Sequence, residues 1–129
     1  MRVSVRNPNG MKLLIVDDSS VVRRAIERDL ESGEIKEVDQ AATGEEAVKL
    51  YAAKLHDVVT LDITMPGMDG LTCLDKIIGI NPQARVLVIS ALRDKATAID
   101  AIKRGASGFL CKPINPSELK EAFQLLIED

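Results

Sequence analysis

Aromatic side chains are scarce in this chain. It has no tryptophan, one tyrosine (Tyr51) and two phenylalanines (Phe109 and Phe123). Proteins that hold single strands of nucleic acid stack the bases on aromatic rings, and a net charge of -3 offers no basic footprint for a phosphate backbone. Direct nucleic-acid binding is therefore not expected. Long hydrophobic runs are also missing. No stretch approaches the span of about 20 apolar residues that crosses a bilayer, and residues 1–10 lack the apolar segment of a signal peptide. A membrane role is not expected, and the cytoplasm is the default location. The two cysteines, Cys73 and Cys111, have neither metal-ligand spacing nor a CxxC pairing. They read as small buried hydrophobes rather than a disulfide. The single histidine, His56, has no second ligand spaced nearby, which argues against metal or catalytic duty.

Apolar residues make up 46% of the sequence and are spread evenly, enough for one domain with a core of its own. Four short apolar runs each end on a polar or reactive residue. Leu13-Leu14-Ile15-Val16 ends on Asp17-Asp18, and Val58-Val59-Thr60-Leu61 ends on Asp62. Val86-Leu87-Val88-Ile89 ends on Ser90, and Gly108-Phe109-Leu110-Cys111 ends on Lys112. Residues 1–10 read as a leader, flexible or associated with a sheet edge: Val3 and Val5 alternate with polar residues, and Asn7-Pro8-Asn9-Gly10 is turn chemistry. Residues 11–129 form the domain proper.

Between the apolar runs lie helical patterns. Val22, Ile26 and Leu30 recur with a helical period before Gly33, read as the stop. A short polar strand is expected near residues 37–41, as suits a sheet edge. Thr43-Gly44-Glu45-Glu46 is a capping box for a helix with Ala47, Leu50 and Tyr51 inward. After the turn Pro66-Gly67-Met68-Asp69-Gly70, a helix with Leu71, Leu74 and Ile78 inward stops at Asn81-Pro82. The next, over residues 95–104, is expected to bury Ala98, Ile99 and Ile102 and to end at Gly105. Asn115-Pro116-Ser117-Glu118 opens the last helix, with Leu119, Ala122, Phe123 and Leu126 inward and Leu125 and Ile127 flanking. Five strands interleaved with five helices predict an α/β fold, a (βα)5 doubly wound parallel sheet covered on both faces. In such sheets the carboxyl ends of the strands share one edge, where sites are built.

That edge would gather Asp17, Asp18, Asp62, Ser90 and Lys112. Three carboxylates against one ammonium leave negative charge in excess. Like charges about 4 Å apart repel by roughly 4 kcal/mol at an effective dielectric of about 20. Such a site protonates or takes up a cation. All-oxygen ligation with few carboxylates suits Mg²⁺. The string 65–70 lacks the leading acidic residue of an EF-hand calcium loop. A carboxylate flanked by cations can also attack phosphorus, with a hydroxyl such as that of Ser90 to bond the phosphoryl oxygens. Taken singly, each residue has a plainer reading. An acidic pair after a strand is commonly a helix cap, Asp62 a turn starter, Lys112 a solvated lysine, Ser90 a strand-end residue and Phe109 a core residue.

Together, Leu14-Ile15-Val16-Asp17-Asp18, the string from Leu61 and Asp62 through Thr64 and Met65 to Asp69-Gly70, Ile89-Ser90-Ala91 and Cys111-Lys112-Pro113 resemble the receiver domains of two-component response regulators, most of all the single-domain chemotaxis type. The resemblance implies a flavodoxin-like sheet of order 2-1-3-4-5. It implies that Asp62 takes a phosphoryl group from a phosphohistidine on a sensor histidine kinase or a histidine phosphotransfer domain. Asp18, Asp62 and the main-chain carbonyl of Thr64 would ligate Mg²⁺, with Asp17 acting through a water. Lys112 would pair with the phosphoryl group, Ser90 would move to bond it, and Phe109 would swing inward. Lys112-Pro113 would be a cis peptide. Thr64 and Leu92 would tune the lifetime of the phosphoryl group. An output protein would read the surface of the fourth helix, fifth strand and fifth helix, with the chain a monomer or a phosphorylation-dependent dimer. On this reading the protein is no turnover enzyme and catalyses only its own phosphorylation and dephosphorylation. The alternatives are an Mg²⁺-dependent aspartyl-phosphate phosphatase, a flavodoxin-like electron carrier, a phosphorylation-independent scaffold, or a receiver excised from a larger regulator. Asp62 is followed by Thr64 where such a phosphatase has a second aspartate, and two carboxylates after the first strand would repel the phosphate of a flavin.

Overall fold

The computed structural model describes residues 10–65 and 69–128. The expected strand at Val3 and Val5, the turn at Asn7-Pro8-Asn9 and the segment Pro66-Gly67-Met68 lie outside the described residues. The elements in chain order are β1 (Met11–Val16), α1 (Ser20–Leu30), β2 (Ile35–Ala41), α2 (Gly44–Lys54), β3 (Val58–Asp62), α3 (Gly70–Ile80), β4 (Val86–Ser90), α4 (Lys95–Lys103), β5 (Gly108–Cys111) and α5 (Pro116–Ile127). The strands form one sheet of order β2-β1-β3-β4-β5, every pairing parallel.

Alternation along each strand divides the core between the two faces of the sheet. Leu14, Val16, Val59, Leu61, Val86 and Val88 point one way, onto Tyr51, Cys73, Leu74, Ile77 and Ala101. Leu13, Ile15, Leu87 and Ile89 point the other way, onto Ile26, Leu30, Leu119, Phe123 and Ile127. β3 and β4 are buried along their whole length. A parallel strand covered on both faces has this continuous apolar character.

Side chains start the helices where the sequence places them. Thr43 Oγ1 accepts from Glu46 N at 3.1 Å, and Glu46 reaches back to Ala42 N at 2.8 Å, one residue before the cap. Asn115 Oδ1 accepts from Ser117 N and Glu118 N, with Pro116 in the first helical turn.

Four expectations are corrected. On α4, Ile99 and Ile102 are 53% and 49% exposed, and Ala101 is the buried residue. This helix lies on the sheet through its small residues, because an alanine stripe allows closer approach than isoleucine. On α5, Ile127 is fully buried; it extends the row from Leu119 and Phe123 by one more helical turn, while Leu125 is 68% exposed. α1 ends at Leu30 with Glu31, at φ -57° and ψ 127°, as its C-cap, so Gly33 lies in the following turn and does not close the helix. Cys111 is half-buried rather than buried, because β5 is an edge strand; both cysteines are free.

Candidate functional site

The sheet register builds the site. Val16 is level with Leu61, so the next residues along, Asp17 and Asp62, emerge side by side from the carboxyl ends of β1 and β3. Asp62 is level with Ile89, which puts Ser90 one step beyond it, and Lys112 N donates to Ser90 O at 2.8 Å. Residues separated by most of the chain thus meet at one edge. The Lys112–Pro113 peptide is cis.

Asp17 is buried and is held on several sides. Its N–H donates to Ala41 O at 3.1 Å, and its Oδ1 accepts from Ser19 N at 2.9 Å. Neither Asp17 nor Asp18 caps α1: that cap is Ser19, whose Oγ accepts from Val22 N. The acidic pair is therefore left for other work, Asp17 buried and Asp18 exposed. Asp62, also buried, has Oδ1 bonded by the Thr64 N–H at 2.8 Å and the Thr64 hydroxyl at 2.6 Å. The Lys112 ammonium lies 3.1 Å from Asp62 Oδ2 and 3.0 Å from Asp17 Oδ2. Its angle makes a hydrogen bond with the first, while Asp17 Oδ2 is buried without one.

Burial and neighbouring charges act together on Asp17 and Lys112. Burial, reinforced by the Asp62 charge, pushes the Asp17 carboxyl above its usual range, against the opposing hydrogen bond from Ser19 N and the nearby Lys112 ammonium. Burial also disfavours the Lys112 ammonium, but its contacts with Asp17 and Asp62 outweigh that and raise its pKa. Carboxylate oxygens of Asp17, Asp18 and Asp62 all lie within 4.8 Å of one another. One ammonium does not neutralise three carboxylates. An unbonded buried oxygen and an all-oxygen donor set within that distance fit a hard divalent cation such as Mg²⁺.

The remaining candidates sit around this cluster. Ser90 is fully buried, and its Oγ accepts from Leu92 N at 2.9 Å. Phe109 is half-buried on β5, against the core face that holds Val88 and Ala101. Leu92 is exposed in the loop before α4. His56 is away from the cluster: it is buried, bonds Asp39 Oδ2 at 2.7 Å and stacks on Tyr51. Two contributors were missed in the sequence. The Thr64 hydroxyl bonds Asp62, a contact that neither its expected main-chain ligand role nor its expected effect on phosphoryl lifetime implies. Arg23 donates to the main-chain oxygen of Asp17 at 2.6 Å. A hydroxyl two residues after an aspartate is a local signal that could have flagged Thr64; Arg23 gave none.

A five-stranded, doubly wound parallel sheet with an acidic cluster and a lysine at the carboxyl edge defines a flavodoxin-like protein with a charged pocket at the ends of its strands. The family profile described as the response regulator receiver domain matches residues 13–124, and the chain belongs to that family. Its relatives include the chemotaxis protein CheY of Listeria monocytogenes, 42% identical over 114 residues, covering 88% of this chain and 96% of that one. CheY of Thermotoga maritima is 39% identical over 113 residues, covering 88% and 94%. Among solved structures, the CheX-CheY-BeF3-Mg²⁺ complex from Borrelia burgdorferi superposes with a TM-score of 0.87 at 37% identity, over 92% of this chain and 90% of that one. The chain is thus a chemotaxis-type receiver, a two-component signalling domain activated by phosphorylation. The phosphatase and electron-carrier alternatives are not favoured.

Proposed function

We propose that Asp62 is the phosphoacceptor and that Asp17, Asp18, Asp62 and the main-chain carbonyl of Thr64 hold Mg²⁺, Asp17 through a water. The observation that carries this reading is the convergence of three carboxylates within 4.8 Å, with Lys112 on the Oδ2 atoms of Asp17 and Asp62. The Borrelia relative, whose complex contains BeF3 and Mg²⁺, supports the same assignment. An Asp62 carboxylate oxygen attacks the phosphorus of a phosphohistidine on a sensor kinase or a histidine phosphotransfer domain; the P–N bond breaks, and the imidazole leaves and takes up a proton. Such donors are made from ATP, which supports a cytoplasmic location. Bound Mg²⁺ would offset the charge on the phosphoryl oxygens. Thr64 fixes the plane of the Asp62 carboxyl, and Lys112 supplies a second cation at the oxygens. The protein acts on no other substrate and catalyses only its own phosphorylation and dephosphorylation.

Output follows from Ser90. Turning its hydroxyl toward the phosphoryl group takes its oxygen away from Leu92 N. The loop this releases is tied to the end of β5 by Arg93 Nη2 on Lys112 O at 3.1 Å and by Cys111 Sγ on Leu92 O at 3.6 Å. Phe109 moves into the space Ser90 leaves, and an output protein reads the changed surface of α4, β5 and α5. Replacing Asp62 with Asn should abolish magnesium-dependent labelling by radioactive acetyl phosphate. Undiminished labelling of that variant rejects the assignment.

A further inference from the structure

Asp17 and Asp18 are consecutive, yet one is buried and the other exposed, and both carboxylates reach the same cluster. That outcome depends on the orientation of the peptide joining them. Neighbours hold this part of the backbone on both sides of Asp17: its N–H donates to Ala41 O at 3.1 Å, and its C=O accepts from Arg23 Nη1 at 2.6 Å. Arg23 is fixed in turn. Its Nε donates to Gln40 Oε1 at 2.9 Å, and Gln40 Nε2 donates to Glu27 Oε1 at 2.6 Å. The chain of bonds runs from α1 across the edge strand β2 and back to α1, ending on the carbonyl between the two acids. A planar guanidinium serves two acceptors with its orientation fixed, which a lysine ammonium on a flexible stem does not.

We infer that Arg23 is a positioning residue for the magnesium site: it holds the Asp17–Asp18 peptide so that the two carboxylates converge on one ion. The inference rests on the magnesium reading above. It makes a prediction of sign. Arg23 is a cation beside an acidic cluster, so by charge alone its removal should tighten Mg²⁺ binding. Loss of positioning should weaken it, as loss of outer-shell partners does, by about 10-fold or more.

The experiment is calorimetric titration of MgCl2 into the unmodified chain and into Arg23→Gln, Arg23→Lys and Gln40→Leu, with the Mg²⁺-dependent shift in Tm as a second readout. The expected result is about 10-fold weaker binding for Arg23→Gln, weaker binding for Arg23→Lys although its charge is kept, and a smaller loss for Gln40→Leu, which leaves Arg23 in place but unanchored. Unchanged or tighter binding by Arg23→Gln overturns the inference while the magnesium site stands. No binding by the unmodified chain overturns the magnesium reading, and this inference with it. Should Arg23→Gln fail to fold, the other two variants decide: affinity equal to that of the unmodified chain in both rejects the positioning role.

Discussion

β3 and β5 belong to one sheet, with only β4 between them, yet every residue of β3 is buried and every residue of β5 only half-buried. Their helices follow suit. α3 buries Gly70, Cys73, Leu74 and Ile77, whereas α4 buries Ala101 and turns Ile99 and Ile102 outward. Asp62, the proposed phosphoacceptor, thus stands on the tightly packed flank; of the groups proposed to read its state, Ser90 is buried on β4, whereas Phe109 and Lys112 stand on the lightly packed side. Regions with few buried apolar contacts open at low free-energy cost. A modification changes a conformational balance only by the difference in its contacts with the two states. A phosphoryl group on Asp62, as proposed, would therefore have less packing to disrupt around α4 and β5 than around α3.

The largest expected effect tests that contrast directly. Leu74→Ala and Ile77→Ala should each cost about 2–5 kcal/mol in urea unfolding. Ile99→Ala and Ile102→Ala should each cost less than about 1 kcal/mol, as surface changes do. Similar losses on both helices would break the comparison.

Next comes the joint between β3 and α3. A Cβ at Gly70 would sit 2.1 Å from Ile63 Cα, a clash with backbone that no rotamer relieves. Gly70→Ala should cost about 1–3 kcal/mol, as overpacking does, and should weaken Mg²⁺ binding by moving the residue next to Asp62. A variant with unchanged stability and affinity would show that the loop yields easily.

A smaller effect concerns the edge strand β2. Burial opposes ionisation of Asp39, but bonds from His56 and Lys54 outweigh it and hold its carboxyl below the usual range. A carboxyl with a lowered folded pKa contributes stability above its unfolded pKa, and the contribution is lost as pH falls through the folded value. The midpoint of urea unfolding should therefore drop on acidification below the ordinary carboxylate range. Asp39→Asn should flatten that acid limb, and an unchanged slope would reject the account.

The smallest perturbation leaves the chain intact. Cys73 is fully buried and its thiol is pushed up to about 11 by burial, while Cys111 is half-buried. Near neutral pH a disulfide reagent should modify Cys111 first and Cys73 only at the rate of global opening. Equal rates would mean that the tight flank opens as readily as the loose one.

Most of the architecture was legible because four of the five strands are short apolar runs ending on a distinctive residue, and the capping signals at Thr43 and Asn115 are local. Which way Ile99 and Ile102 face was not legible: a nine-residue helix has both an isoleucine stripe and an alanine stripe, and closeness of approach to the sheet, a tertiary property, decides between them. Ile127 was hidden for a similar reason, since its inward direction depends on where α5 ends its contact with the sheet. At the site, chain order and strand ends were enough to single out Asp17, Asp18, Asp62, Ser90 and Lys112. The bonds of Thr64 to its neighbour and of Arg23 to a main-chain oxygen depend on backbone orientation, which composition and spacing do not carry.

The crowding at Gly70 also bears on design. Every other amino acid begins with the very carbon that has no room there, so no choice of side chain at that position can refine the packing of Ile63 beside Asp62. On the proposed reading, changes meant to lengthen or shorten the life of the phosphoryl group belong on the solvent side, at Thr64 and Leu92, both of which are exposed.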